Sequence, residues 1–170
     1  MTLQKEQEMY PAVEQWLRRY LQQRYPRQRI ITQVCAFRRL NKLINQLGIG
    51  ALLPHEWASW DVQVDIVGFV CSAQKASIVL IECKSRPIAL PHLSQMIGYC
   101  RVVRPAMGLI LSPKGISNSL KRLLTIFGRQ DVLVYDQPHQ QAARYVTLAR
   151  WDAQSKSPDA SSVVPSGGLS

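Results

Sequence analysis

The order of helical and strand patterns in this sequence predicts an α/β fold, in which helices flank a mixed β-sheet. Three observations lead to this prediction. An amphipathic helical pattern lies near the start, two strand patterns joined by a short polar turn follow, and strands then alternate with helices. The resulting order is helix, strand, hairpin, helix, strand, helix, strand. One domain over residues 1–151 accommodates all of these elements.

The first helix is predicted over residues 8–26. Pro11 suits a first helical turn, and Pro26 ends the pattern. Between them, apolar side chains recur at helical spacing, at Val13, Trp16, Leu17, Tyr20 and Leu21. A β-branched strand is expected at 30–36 and a short helix at 38–50, followed by an irregular excursion.

A β-hairpin is predicted in the middle of the chain. Residues 61–71 alternate between apolar and polar side chains, and the stretch "SAQK" then forms a turn. The apolar segment 76–84 returns as the second strand. If the two strands pair around this turn, Asp65 and Glu82 lie near one another.

The second half of the chain predicts two helices and three strands. Helices are expected at 90–103 and 116–128, the second closed by Gly128. Strands are expected at 106–112, 131–136 and 143–151. Residues 152–170 turn to Ser, Pro, Gly and Asp with little to bury, which predicts a disordered C-terminal tail.

The charge balance favours a polyanionic partner. Lys and Arg number 21 against 11 Asp and Glu, a formal charge of +10, and such a domain most often binds nucleic acid. A basic surface without a partner is the alternative.

The four cysteines are scattered without metal-ligand spacing, and no apolar run approaches the ~20 residues that span a bilayer. These features predict a soluble cytoplasmic protein with no membrane partner.

Opposite charges end a strand that otherwise has an apolar pattern. Glu82 and Lys84 share one strand face and follow the unbroken apolar run 78–81, which is typical of a strand covered on both faces. Two carboxylates brought together in a partly desolvated site repel. A divalent cation, a lysine between them, or open water resolves that conflict. Oxygen ligands of this kind suit Mg²⁺ or Mn²⁺, and a cross-strand salt bridge is the alternative interpretation.

These residues resemble the motif of the PD-(D/E)xK nuclease superfamily, which has the restriction-endonuclease-like fold. Asp65 resembles the motif aspartate, and Glu82-Cys83-Lys84 resembles (D/E)-x-K. Downstream, Gln95 and Tyr99 match the Q-x-x-x-Y signature of the RecB-type and phage-exonuclease branch. Positions i and i+4 share a helix face, so both side chains could look toward the strand ends. Asp61 is a competing candidate for the motif aspartate.

The resemblance implies a Mg²⁺-dependent (or Mn²⁺-dependent) DNA nuclease that hydrolyses phosphodiester bonds. Asp65 and Glu82 would hold the metal, with assistance from a glutamate of the first helix. Glu14 is the first choice for that role, with Glu6 and Glu8 as fallbacks. Lys84 would position or activate water, and Gln95 would order the site. Cutting both strands commonly calls for a dimer in this family, so a homodimer or higher homo-oligomer is one expected state.

Two other functions are compatible with the sequence. One is a DNA-binding module on the same fold whose catalytic site is inactive. The other is a small assembly subunit whose basic charge serves a protein partner.

Overall fold

The structure is a computed structural model that describes residues 2–170. Within that range, the five α-helices are α1 (Thr2–Gln7), α2 (Tyr10–Arg24), α3 (Leu40–Leu47), α4 (Leu90–Val103) and α5 (Asn118–Thr125). The seven strands of the same range are β1 (Arg29–Val34), β2 (Ile66–Cys71), β3 (Ala76–Cys83), β4 (Met107–Ser112), β5 (Val134–Asp136), β6 (Arg144–Asp152) and β7 (Ser157–Pro158). Short 3₁₀ segments lie at Gly50–Leu52, His55–Ser59, Gln130–Leu133 and Ala160–Ser162.

The strands form one mixed sheet in the order β1-β2-β3-β4-β6-β5, with β7 paired to β6. Antiparallel pairing joins β1, β2 and β3, whereas β3, β4 and β6 run parallel, and β5 is antiparallel to β6. The parallel pairs require crossover connections, which α4 and α5 supply. The predicted α/β class and the β2–β3 hairpin are confirmed.

Helices cover both faces of the sheet, which explains the continuous apolar runs of the central strands. Alternate residues of β3 point to opposite sides: Ile78 and Leu80 join the core beneath α3, α4 and α5, whereas Val79 and Ile81 join the core beneath α2. All six residues of β2 are buried. A charged side chain at the end of such a strand therefore lies between two apolar layers unless a cleft opens there.

Close packing of α4 on the sheet depends on Gly108 of β4. A Cβ atom at this position would lie 2.6 Å from the Cys100 Sγ atom, which is fully buried on α4. We expect Gly108→Ala to lower the free energy of unfolding by about 1–3 kcal/mol, because the helix must shift away from the strand. Urea denaturation measures the change.

Gly98 provides the matched control, because it lies on the same helix with no atom within 4 Å of an added Cβ. Gly98→Ala should raise stability by up to about 1 kcal/mol, since alanine is the better helix former. Equal stability of the two variants would contradict the packing assigned to Gly108.

The C-terminal residues differ from the disordered tail predicted for 152–170. They fold back along β6, where Trp151 pairs with Pro158 and the Leu148 N–H donates to the Val164 carbonyl at 2.8 Å. Val163 and Leu169 also pack against the core on the α2 side. Few apolar residues are needed here, because the sheet already offers an edge and an apolar surface.

Candidate active site

The hairpin register brings Asp65 opposite Glu82. Ile66, the first residue of β2, pairs with Ile81 of β3. One further step along this antiparallel register places Asp65 across from Glu82, as the sequence predicts. Glu82 continues the alternation of Ile78 and Leu80, so it faces the α4 side of the sheet.

Two hydrogen bonds fix the Asp65 carboxylate. The Tyr10 hydroxyl donates to Oδ1 at 2.7 Å, and the Cys83 backbone N–H donates to Oδ2 at 2.7 Å. Both donors favour the charged carboxylate, but burial acts more strongly and raises the pKa of Asp65 above its ordinary value. The carboxylate is therefore oriented before any ligand arrives.

Tyr10 was not predicted as a site residue. It begins α2 at a buried apolar position, so in the sequence it is indistinguishable from a core residue. Burial, followed by the hydrogen bond to Asp65, raises the pKa of Tyr10, so its hydroxyl stays protonated and remains a donor.

Glu82 and Lys84 form an ion pair at the end of β3. The Lys84 Nζ atom lies 2.9 Å from the Glu82 Oε2 atom, and Glu82 is only 4% exposed. Burial and then the nearby Asp65 carboxylate raise the pKa of Glu82 to about 7, despite the opposing effect of Lys84. Burial disfavours the charged lysine, but Glu82 and Asp65 outweigh it and raise the pKa of Lys84.

These groups line one cleft of about 380 Å³, open to solvent. Helices α1 and α4 add Glu6, Gln95 and Tyr99 to the Asp65, Glu82 and Lys84 side chains of the hairpin. The cleft opens where the C-terminal end of β3 meets the N-terminal end of β2. The structure thus brings together all four residues predicted to be catalytic.

Gln95 and Tyr99 lie on the same side of α4, one turn apart. The Gln95 Nε2 atom donates to the Tyr99 hydroxyl at 3.0 Å, and both side chains reach the cleft wall. The start of the helix is held by His92, whose Nδ1 atom accepts from the Ala89 N–H at 3.1 Å. His92 therefore has a structural contact at the helix start.

The acidic residue that reaches the cleft from the N-terminal helices is Glu6, not Glu14. The Glu14 carboxylate pairs with Arg18 at 3.0 Å and accepts from the Thr32 hydroxyl, because α2 crosses β1 at that point. The Glu6 Oε1 atom instead accepts from the Ser85 N–H at 3.1 Å, beside Lys84. The structure therefore places Glu6, and not the predicted Glu14, at the cleft.

The other acidic candidates lie elsewhere. Glu8 is exposed on the turn between α1 and α2. Asp61, the rival for the motif aspartate, is mostly exposed, forms an ion pair with Arg39 at 3.3 Å and does not itself line the cleft. Asp65 is thus the aspartate that the fold places beside Glu82.

The donor set of the cleft fits a hard divalent cation. Residues 2–170 hold no group of three or more His, Cys, Asp or Glu side chains arranged to ligate a metal. Mg²⁺, however, is commonly bound by one or two carboxylates together with waters and substrate phosphate. Asp65 and Glu82 supply that number of carboxylates, and the mutual repulsion that raises the pKa of Glu82 is what a cation would relieve.

Comparison with models of known protein families, with curated proteins and with solved structures found no match. No helix within residues 2–170 combines the length and the apolar character required to cross a membrane.

Proposed function

We propose that this protein is a Mg²⁺-dependent DNA nuclease that hydrolyses phosphodiester bonds at the Asp65–Glu82–Lys84 cleft, with a restriction-endonuclease-like arrangement of the sheet. The observation that supports the proposal most is the convergence of these three side chains in one solvent-accessible cleft. A simple salt bridge explains the Lys84–Glu82 contact, but it does not explain a second, half-buried carboxylate directly opposite.

Each residue has a role that follows from its geometry. Asp65 and Glu82 would hold the cation through carboxylate oxygens whose orientation is already fixed. A bound Mg²⁺ supplies charge stabilisation on the attacked phosphate and lowers the pKa of water. The Lys84 ammonium donates one N–H to Glu82. Its two other N–H groups would orient an attacking water and stabilise developing charge. Gln95 and Tyr99 would position the phosphate or water from the α4 side.

Positive charge around the cleft supports a polyanionic substrate. Arg39 lies in the cleft wall, and Arg86 is exposed two residues beyond Lys84. The Ser112 hydroxyl donates to the Arg86 carbonyl at 2.8 Å, which ties this loop to the end of β4. Together with the net charge of +10, these residues favour phosphate-backbone contacts that weaken as salt rises.

The direct test measures DNA cleavage and DNA binding in parallel, on plasmid and oligonucleotide substrates. We expect cleavage with Mg²⁺ or Mn²⁺ and none with EDTA, because phosphodiester hydrolysis at this site needs the cation's charge. Salt-sensitive binding without cleavage in either metal would instead identify an inactive DNA-binding module. Neither binding nor cleavage would leave the assembly subunit as the better hypothesis.

A further inference from the structure

An exposed aromatic side chain lies in the wall of the cleft. Phe37 is 72% exposed, the highest value among the exposed large hydrophobic residues of the described chain. It lines the same cleft as Asp65, Glu82 and Lys84. No aromatic ring of the described residues stacks on it, and it packs against neither core cluster. A single exposed apolar side chain is ordinary on a protein surface. The position of Phe37 in the wall of the cleft that holds Asp65, Glu82 and Lys84, rather than its exposure, therefore indicates a role in binding.

The turn that carries Phe37 is tied to the candidate metal site. The Cys35 N–H donates to the Asp65 carbonyl at 2.7 Å, and the Arg38 N–H closes the turn on the Cys35 carbonyl at 3.1 Å. The Gln63 side chain also donates to the Ala36 carbonyl. Phe37 is therefore presented by an anchored backbone at a set position relative to Asp65.

The residues after Phe37 supply charge of the right sign for a nucleic-acid backbone. Arg38 and Arg39 are both exposed, and Arg39 shares the cleft wall. A base can stack on the flat apolar ring, and the two guanidinium groups beside it can bind the adjoining phosphates. The cleft, at about 380 Å³, is in the size range of a small-ligand pocket. A cleft of this volume suits one nucleotide rather than a base-paired duplex.

We propose that Phe37 is a stacking platform for an unpaired base next to the phosphate that is cleaved. This inference rests on the proposed nuclease function and specifies its substrate class: DNA with unpaired nucleotides, such as single strands, flaps or frayed ends. Bases inside an intact duplex already stack on both neighbours, so they reach Phe37 only at the cost of unstacking. Stacking on an aromatic side chain changes affinity on the order of ten- to a hundredfold per base.

The test is a binding experiment in EDTA, so that its outcome does not depend on cleavage. Affinities of the wild type, Phe37→Ala and Phe37→Trp are measured for a single-stranded oligonucleotide and for a fully paired, blunt-ended duplex whose strands have the same length. We expect Phe37→Ala to lose about tenfold or more on the single strand and little on the duplex. Phe37→Trp should retain wild-type affinity. Phe127→Ala is the control, because Phe127 is 65% exposed but lies beyond α5 and outside the cleft.

Abasic substitutions along the oligonucleotide sharpen the test. Removing the stacked base should weaken binding to the wild type but not to Phe37→Ala, which isolates the pairwise contact. Equal losses on single strand and duplex, or an unchanged affinity of Phe37→Ala, would overturn the stacking role. Mg²⁺-dependent cleavage that is insensitive to Phe37 would leave the nuclease proposal standing. Base stacking without any cleavage would overturn the nuclease proposal and the place assigned to Phe37 beside a cleaved phosphate.

Discussion

Lys84→Ala should reduce Mg²⁺-dependent DNA cleavage by about 10²–10⁴-fold while leaving most of the DNA affinity intact. Lys84 is a half-buried cation beside Asp65 and Glu82 in the cleft, and its Nζ atom lies 2.9 Å from the Glu82 Oε2 atom. In the proposed mechanism, its loss removes the group that would orient water and stabilise charge in the transition state. DNA affinity would depend on many exposed arginines and lysines, so we expect it to change far less. Single-turnover cleavage and filter binding on the same substrate measure the two effects separately.

The effect of Lys84 must be separated from damage to the fold. Without the lysine, Glu82 can take up a proton at neutral pH because its pKa is already about 7, so the protein avoids an unpaired buried charge. Lys84→Met keeps the length of the apolar stem and should fold while remaining inactive. Lys75→Ala in the exposed hairpin turn removes the same charge and should retain full cleavage. Wild-type cleavage by both Lys84 variants would rule out the catalytic role.

Mg²⁺ should stabilise the protein against unfolding, and more strongly at pH 8 than at pH 6. The pKa of Glu82 is raised to about 7, mainly by burial and by Asp65, so at pH 6 a proton competes with the cation for this carboxylate. At pH 8 the proton has left and both carboxylates are free to bind. A Mg²⁺ concentration tenfold above Kd adds about 1.4 kcal/mol to the free energy of unfolding. Thermal unfolding at both pH values, with and without Mg²⁺, measures the difference.

The raised pKa of Glu82 also makes the metal-free protein less stable as pH rises, whereas the stabilisation by Mg²⁺ increases with pH. A carboxylate whose pKa is higher in the folded than in the unfolded state binds its proton more tightly when folded. The contribution of Glu82 to stability is therefore greatest below its ordinary pKa of 4.5 and is lost as pH rises to about 7. The loss is about 3 kcal/mol for the full shift. Mg²⁺ should offset part of it, since the cation replaces the proton.

Variants of the acidic residues identify which carboxylates are responsible for the response to Mg²⁺. Asp65→Asn and Glu82→Gln should each markedly weaken the Mg²⁺-induced stabilisation and the cleavage, because each removes one of the two carboxylates available to the cation. Glu14→Gln is the control: its carboxylate contacts Arg18 and Thr32 outside the cleft, so it should respond to Mg²⁺ like the wild type. An unchanged Mg²⁺ response in both cleft variants would place the metal elsewhere.

Local patterns in the sequence were sufficient for the hairpin and the helix that form the cleft. Helix α4 covers the predicted residues 90–103, because the apolar spacing indicates a helix and Pro91 marks its first turn. The four-residue turn between β2 and β3 is short enough to determine the register. Once the register is known, the opposition of Asp65 and Glu82 follows from the two-residue period of a strand. The metal and the nuclease activity remain predictions.

What only the tertiary structure decided is how distant elements meet at the cleft. Glu6 rather than Glu14 lies beside Lys84, and the Tyr10 hydroxyl reaches Asp65, because α1 ends at Gln7 and α2 then crosses the sheet over β1. Periodicity reports which face of a helix is buried, but not where along a strand that face will rest. The folded course of residues 152–170 has the same origin. Composition counts what a segment can bury by itself, whereas Val163 and Leu169 bury their side chains on a surface that the rest of the chain has already built.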